Sequence, residues 1–194
     1  MTLGQINEMP PPGIAAYPLA NLEQSAFDRL WDFLQKQSSQ SLPLQGILYL
    51  WSLETDAAQS LSCQVNSHCQ TLLCLMQTLV QQTFSQLPKL WVVTQGAVVI
   101  GGTLEATHPP ALSLAPMWGF SRGFGLEYPR LWGGLIDLEQ GVPIAQQVPA
   151  IAAELVEQQG EDQIAYRQGK RHVARLVKRL PIPLADVRPI NIQT

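Results

Sequence analysis

Three short apolar runs constrain this chain more than any other feature: Gly46-Ile-Leu-Tyr-Leu-Trp51, Lys89-Leu-Trp-Val-Val-Thr94 and Gly134-Leu-Ile-Asp-Leu138. None alternates between apolar and polar residues, so each must be covered on both faces. That is the pattern of buried parallel strands. Parallel neighbours need long crossovers, and the segments between these runs have helical periodicity. The spacing therefore predicts an α/β fold with right-handed crossovers and helices on both faces of a mostly parallel sheet.

The helices are placed by their apolar stripes. Phe27, Leu30, Trp31 and Leu34 predict a helix from about Asn21 that ends at Ser38-Ser-Gln-Ser41. A long helix over 57–85 carries Leu61, Val65, Cys69, Leu72, Leu73, Met76, Leu79, Val80 and Phe84 on one stripe. Thr55 or Asp56 serves as its cap, and Gln64, Asn66, His68 and Gln70 face outward. A third helix spans 115–127, with Pro116 tolerated in its first turn. Pro143 or Pro149 opens a fourth, whose inner face is Ile151, Ala152 and Leu155. Val98-Val-Ile100 extends the second strand or folds into a small hairpin, and Gly101-Gly102 and Pro109-Pro110 bracket a loop. Gln168-Gly169 is the turn of a hairpin between Gln163–Arg167 and Lys170–Val177. Residues 1–20, with Pro10-Pro-Pro-Gly13, read as a linker or extended arm, and 181–194, with three prolines, as an exit linker. A single domain over 21–180 lies between them.

A chain of 194 residues can bury the core of one domain. Only 14% of its residues are charged, which fits a surface covered by a partner or made polar by glutamine. The net charge of −3 provides no overall attraction to nucleic acid. Seven of the twelve basic residues nevertheless fall at or after Arg167: Arg167, Lys170, Arg171, Arg175, Lys178, Arg179 and Arg188. Such a cluster reads as a phosphate-binding tail or as a strand edge guarded by cations. No aromatic residue interleaves with the charges after Tyr166, which favours the edge. Three cysteines without paired spacing indicate a reducing compartment. With no signal peptide, and apolar runs well short of the roughly 20 residues of a membrane span, the expected location is the cytoplasm, with neither nucleic acid nor membrane as a partner.

Most constellations that could carry chemistry are incomplete. Tyr166-x-x-x-Lys170 has the spacing of the tyrosine–lysine pair of short-chain dehydrogenases, where the lysine lowers the phenol pKa. That chemistry needs both side chains on one helix face. Here Gly169 lies between them and the flanking residues alternate like strands. A cofactor site needs a glycine-rich strand-to-helix turn. The best candidate, Gly96-Ala-Val-Val-Ile-Gly101-Gly102, has the wrong spacing and is followed by Pro109-Pro110. Cys63 and Cys69 point about 240° apart on a helix, so with Cys74 they read as core thiols and not, with His68, as a metal site. His108 and His172 read as surface residues. Ser113 and Ser121 lack a nucleophile elbow. Catalytic, cofactor and metal residues are thus expected to be none. Gly119 and Gly123, one turn apart in the third helix, cost roughly 1 kcal/mol each relative to alanine and need a reason. With Trp118, Arg122 and Trp132 they are the candidate packing or interface residues. Close packing of this helix on its own sheet is the nearer reading, and an intermolecular contact the other.

Several motifs recur together in one order: Trp51-Ser-Leu53, Leu90-Trp-Val-Val-Thr-Gln-Gly-Ala97, Met117-Trp-Gly-Phe-Ser-Arg122, Glu127-Tyr-Pro-Arg-Leu-Trp-Gly-Gly-Leu-Ile-Asp-Leu138 and Tyr166-Arg-Gln-Gly-Lys-Arg-His-Val-Ala-Arg-Leu176. Over about residues 45–180 the combination resembles the structural subdomain of ketoreductases from modular type I polyketide synthases. The resemblance implies a truncated Rossmann-like fold that does no chemistry. It also implies a catalytic subdomain beyond Thr194, which would carry the NADPH loop and the reductase residues. The implied partners are that subdomain and neighbouring synthase domains, with an enoyl reductase or a methyltransferase among the possible neighbours. The family's usual opening strand, helix and strand would stand before residue 21, where this chain has only its arm. The sheet is therefore expected to be incomplete or completed by another segment. The alternative reading is a small autonomous oxidoreductase using Tyr166 and Lys170.

Overall fold

The computed structural model describes residues 23–38, 44–54, 58–100, 110–157 and 160–176. The predicted arm 1–20 and exit linker 181–194, and with them Thr55, Asp56 and His108, lie outside the described residues. Among the described residues five strands form one sheet in chain order: β1 (Gly46–Tyr49), β2 (Lys89–Gln95), β3 (Trp132–Leu138), β4 (Gln163–Arg167) and β5 (Lys170–Val173). The first four are parallel and β5 returns antiparallel to β4. Four α-helices accompany them there: α1 (Gln24–Ser38), α2 (Leu61–Gln81), α3 (Ala115–Glu127) and α4 (Ile144–Glu157). This is the Rossmann-like three-layer fold, mostly parallel and with a C-terminal hairpin, that the sequence predicts.

Strand alternation divides the core in two. Leu90, Val92 and Leu135 face Phe27, Trp31, Leu72, Met76, Leu79 and Met117 of α1, α2 and α3. Trp91, Val93, Ile136, Leu138 and Ile164 face Ile151 and Leu155 of α4. The third crossover therefore runs on the opposite face from the first two. All three step across the sheet in the same direction, so the β3–α4–β4 connection has the opposite hand to the other two. The expectation of a uniformly right-handed set of crossovers does not hold here.

The boundaries differ from expectation where tertiary contacts intervene. β2 and β3 are buried as predicted, but β1 is an edge strand among the described residues. Gly46 is exposed, Ile47 and Leu48 are half-buried, and only Tyr49 is buried. The cap of α2 is Ser60, whose hydroxyl accepts from the Cys63 amide. His68 is buried on α2, whereas Leu61 and Leu73 are exposed. That helix lies between α1, α3 and the sheet, so its covered face is wider than one stripe. Burial holds the His68 imidazole below its ordinary pKa. Pro143 precedes α4, whereas Pro149 stands inside it on the solvent side, where one helical hydrogen bond is lost. The inner face of α4 is Gln147, Ile151 and Glu154, and Ala152 is exposed. Val98–Ile100 neither extends β2 nor forms a hairpin.

Between β2 and β3 the ladder slips by one residue. Leu90 pairs with Trp132, and Trp91 pairs with Gly134. The slip turns Trp132 toward α3, where its ring meets Phe124 edge-on at 6.1 Å. On the other face the Trp91 indole lies against Gly133 and Gly134. A Cβ at Gly133 would stand 2.5 Å from Trp91 Nε1. Trp91 is itself buried, so it has no room to withdraw. Gly133→Ala should cost about 1–3 kcal/mol, the usual penalty for overpacking a core. Most of that loss should vanish when Gly133→Ala is made in a Trp91→Leu background. A double-mutant cycle by urea unfolding checks the coupling.

Candidate functional site

Ligands of open α/β sheets bind beyond the carboxyl ends of the strands, where the chain turns toward its helices. Here that edge is built around Asp137, a fully buried carboxylate near the end of β3. Its Oδ1 accepts the Thr94 hydroxyl at 2.6 Å and the Ala97 amide at 2.9 Å. Its Oδ2 accepts the Val98 amide at 3.2 Å and pairs with Arg167 of β4. Arg167 also donates to the carbonyls of Val98, at 2.7 Å, and Leu138, at 3.1 Å. The Trp118 indole N–H reaches Thr94 Oγ1 at 3.0 Å, which ties α3 to the same centre.

The neighbouring turn is closed as well. Gln147 of α4 accepts the Glu139 amide at 2.8 Å and donates at 3.0 Å to the carbonyls of Glu139 and Val142. Gln95 donates to the same two carbonyls, and Glu139 accepts the Gln168 amide at 2.7 Å. Gly96 adopts φ +72°, yet the space above it is filled by Gln140, 2.8 Å from where a Cβ would sit. The Ser52 hydroxyl is turned into the sheet, onto the Val93 carbonyl. A dinucleotide pyrophosphate needs free backbone N–H groups at this edge. Those of Ala97 and Val98 are already taken by a carboxylate, so the described residues do not fit such a cofactor.

Tyr166 and Lys170 are not brought together. Tyr166 pairs with Arg171 across the hairpin and Lys170 with Arg167, so the two occupy successive rungs of the ladder on opposite sides of the turn. Gln168 and Gly169, both at positive φ, form that turn as predicted. The Tyr166 hydroxyl donates to Glu154 at 2.5 Å, and Arg171 holds both oxygens of that carboxylate, at 2.6 and 3.0 Å. Burial and the Glu154 hydrogen bond push the Tyr166 phenol up to about 12. An oxidoreductase tyrosine needs the reverse shift and a lysine beside it, and the hairpin register places Lys170 opposite Arg167 instead. Burial acts to raise the Glu154 carboxyl, but the bonds from Arg171 and Tyr166 outweigh it and hold the group below its ordinary value. Arg175 pairs with Glu161 at 2.6 Å. Three of the clustered cations thus meet carboxylates of the chain itself.

The candidate interface residues separate into two groups. Trp118 is buried, with Arg122 5.6 Å above its ring and bonded at 2.8 Å to Gln163. Trp132 is buried and donates to Asp162 at 3.2 Å. Trp118 and Trp132 thus lie in the core, whereas Arg122 is exposed above it. Gly119 and Gly123 do not pack on the sheet, for beyond the local backbone of α3 and the adjacent residues no described atom lies within 4 Å of a Cβ built at either. The expected core thiols are half-buried at Cys69 and Cys74 but exposed at Cys63, and His172 is half-buried in β5. Ser121 is fully buried, and its hydroxyl has no partner among the described residues. Among those residues no three His, Cys, Asp or Glu side chains are grouped to hold a metal. No described helix is long and apolar enough to cross a membrane. The pairing of Asp137 with Arg167 is not legible in the sequence. The available signal is a lone carboxylate inside an apolar run, since a charge buried in a strand requires partners.

A family model described as the Rossmann fold domain of the polyketide synthase extender module SpnB matches residues 13–176, and the chain belongs to that family. It is 38% identical over 92 residues to a phenolphthiocerol/phthiocerol polyketide synthase of Mycobacterium tuberculosis, covering 47% of this chain and 6% of that protein. It is 33% identical over 135 residues to a 6-methylsalicylic acid synthase of Arthrobotrys oligospora, covering 70% of this chain and 6% of that protein. An A-type ketoreductase from a modular polyketide synthase superposes with a TM-score of 0.73 at 24% identity, over 92% of this chain and 36% of that one. A C2-type ketoreductase does so with a TM-score of 0.58 at 29% identity, over 75% of this chain and 30% of that one. The chain thus spans a small part of the synthases it matches and about a third of the ketoreductases.

Removing the carboxylate strands a half-buried guanidinium and two amides. Asp137→Ala should cost about 3–5 kcal/mol of stability, the range for breaking one side of a buried ion pair. Thr94→Val, which removes one hydroxyl from the same centre, should cost about 1–3 kcal/mol. Urea unfolding of both variants checks the order.

Proposed function

We propose that this chain is a non-catalytic structural subdomain. It braces the NADPH-dependent catalytic subdomain of a polyketide synthase ketoreductase, or the reductive and methylating domains beside it. The observation that carries this reading is the carboxylate-filled edge of the sheet. Where a working dinucleotide fold keeps amides free for phosphate, this chain bonds the Ala97 and Val98 amides to Asp137. Its coverage of about a third of solved ketoreductases supports the same reading, because the matched fold leaves most of such a protein for another subdomain. On this view the chain's residues contribute shape and rigidity. NADPH, and the hydride it supplies, belong to the partner.

Calorimetric titration of NADPH into the isolated chain should give no saturable binding at millimolar concentration. Adding the ketoreductase catalytic subdomain encoded with it should instead raise the melting temperature. Mass action sets the gain at about 2.7 kcal/mol when the partner stands at 100 times its dissociation constant. Saturable NADPH binding by the chain alone, or an unchanged melting point with the partner, would overturn the reading.

Tyr166→Phe separates the two functional readings. Loss of the bond to Glu154 should cost about 0.5–1.5 kcal/mol of stability. Turnover of the intact ketoreductase region should stay at the level of the unmodified protein. A large loss of turnover in a stably folded variant would restore the autonomous oxidoreductase.

A further inference from the structure

The two edges of the described sheet are finished differently. β5 carries Lys170 and Arg171, residues of the kind that keep an edge from pairing. β1 is Gly46-Ile-Leu-Tyr49, with no charge and no proline. The Lys89 amide donates to the Gln45 carbonyl at 3.2 Å. In a parallel pair, alternate residues bond to the neighbouring strand. Ile47 and Tyr49 therefore face β2, and Gly46 and Leu48 turn their N–H and C=O groups outward.

Beside this edge a hollow of about 220 Å³ lies between β1 and α1. Leu30, Leu34, Leu44, Ile47 and Trp51 are among its walls, and among the described residues no charged side chain lines it. A cavity of roughly 150 Å³ takes a benzene ring, so this one has room for a large apolar side chain. Two buried donors in its walls, Trp31 Nε1 and the Tyr49 hydroxyl, have no partner among the described residues. Buried donors are ordinarily paired, so the hollow lacks an acceptor as well as apolar filling.

The chain that enters α1 is placed to supply both. Phe27, in the first turn of α1, meets Trp51, just past the end of β1, edge-on at 5.8 Å. α1 thus starts above the carboxyl end of β1 and runs back toward Leu44 and Gly46, which line the hollow together with Leu34. A strand parallel to β1 would end where α1 begins. α1 also lies on the same face as α2 and α3, so a strand outside β1 would repeat the hand of the crossovers through those two helices. The sequence ahead of α1 suits that place. Ile14-Ala-Ala-Tyr17 is as long as β1 and uncharged. Pro18 favours an extended Tyr17 and is tolerated at the end of an edge strand. Residues 18–23 then join the strand to Gln24, a length usual for such a connection.

We propose that residues 14–17 add to the sheet as a parallel edge strand outside β1, with Ile14 or Tyr17 in the hollow. The residues after 176 are worse placed, since they leave from β5, about 19 Å across the sheet at the usual strand spacing.

Amide exchange of the full chain, resolved by residue with NMR, reads the edge directly. The comparison is Ala15→Pro/Ala16→Pro, which removes two successive donors, one of which faces β1 whichever register forms. Exchange at Gly46 and Leu48 should be at least tenfold slower in the parent chain than in this variant. The variant alters no described residue, and protected amides at Val92 and Ile136 would show that its fold is kept. If it unfolds, nuclear Overhauser contacts in the parent chain decide. They should join the backbones of residues 14–17 and 46–49, at an intensity independent of protein concentration. Rapid exchange at Gly46 and Leu48 in the parent chain, protection unchanged in the folded proline variant, or absence of those contacts would overturn the proposal. Protection that fades on dilution would overturn it too, and would assign the edge to a second copy of the chain.

Discussion

The architecture depends on one carboxylate. Asp137 sits in β3, a strand otherwise built from apolar side chains and glycine, and it binds groups from β2, from the turn after β2 and from β4. An ionised carboxylate in such a place is tolerable only when its lone pairs are filled, and four donors fill them. Through Thr94 the same centre fixes Trp118, and through Trp118 the position of α3 on the sheet. Register, loop conformation and helix placement are thus coupled at a single point. The edge of the sheet that holds a ligand in related architectures is here filled by the protein's own side chains.

A second device works at the other end of β3. The one-residue slip at Gly133 lets Trp132 and Trp91 serve opposite faces of the sheet although they lie on neighbouring strands. Trp91 then covers a stretch of backbone that bears no side chains of its own. Two large aromatic side chains thereby fill both layers of the core at a point where two glycines would otherwise leave a void.

The strands and helices were legible because their cause is local. The apolar runs, the Gln168–Gly169 turn and the extent of α3 follow from residue pattern alone. What sequence did not reveal depends on partners distant in the chain. The exposure of β1 follows from its place at the edge of the described sheet, which composition does not encode. The inward turn of His68 and Glu154 follows from flanking helices and from Arg171 and Tyr166. The centre at Asp137 joins residues about thirty to forty positions apart, and a lone aspartate in an apolar run signals only that partners must exist. The openness of Gly119 and Gly123 was hidden for a related reason. A glycine pair on a helix has the same sequence whether its face is packed or bare.

The opposite hand of the last crossover places α4 on the face of the sheet that the other three helices leave bare. Among the described residues three helices cover one face, while α4 alone covers the other, packed through Ile151 and tied by Gln147 to the turn after β3 and by Glu154 to the hairpin. A layer one helix deep opens at a free energy below that of the whole domain. In the language of hydrogen exchange, α4 with β4 and β5 should be the early-opening unit, and the amides of β2 and β3 should be the last to exchange.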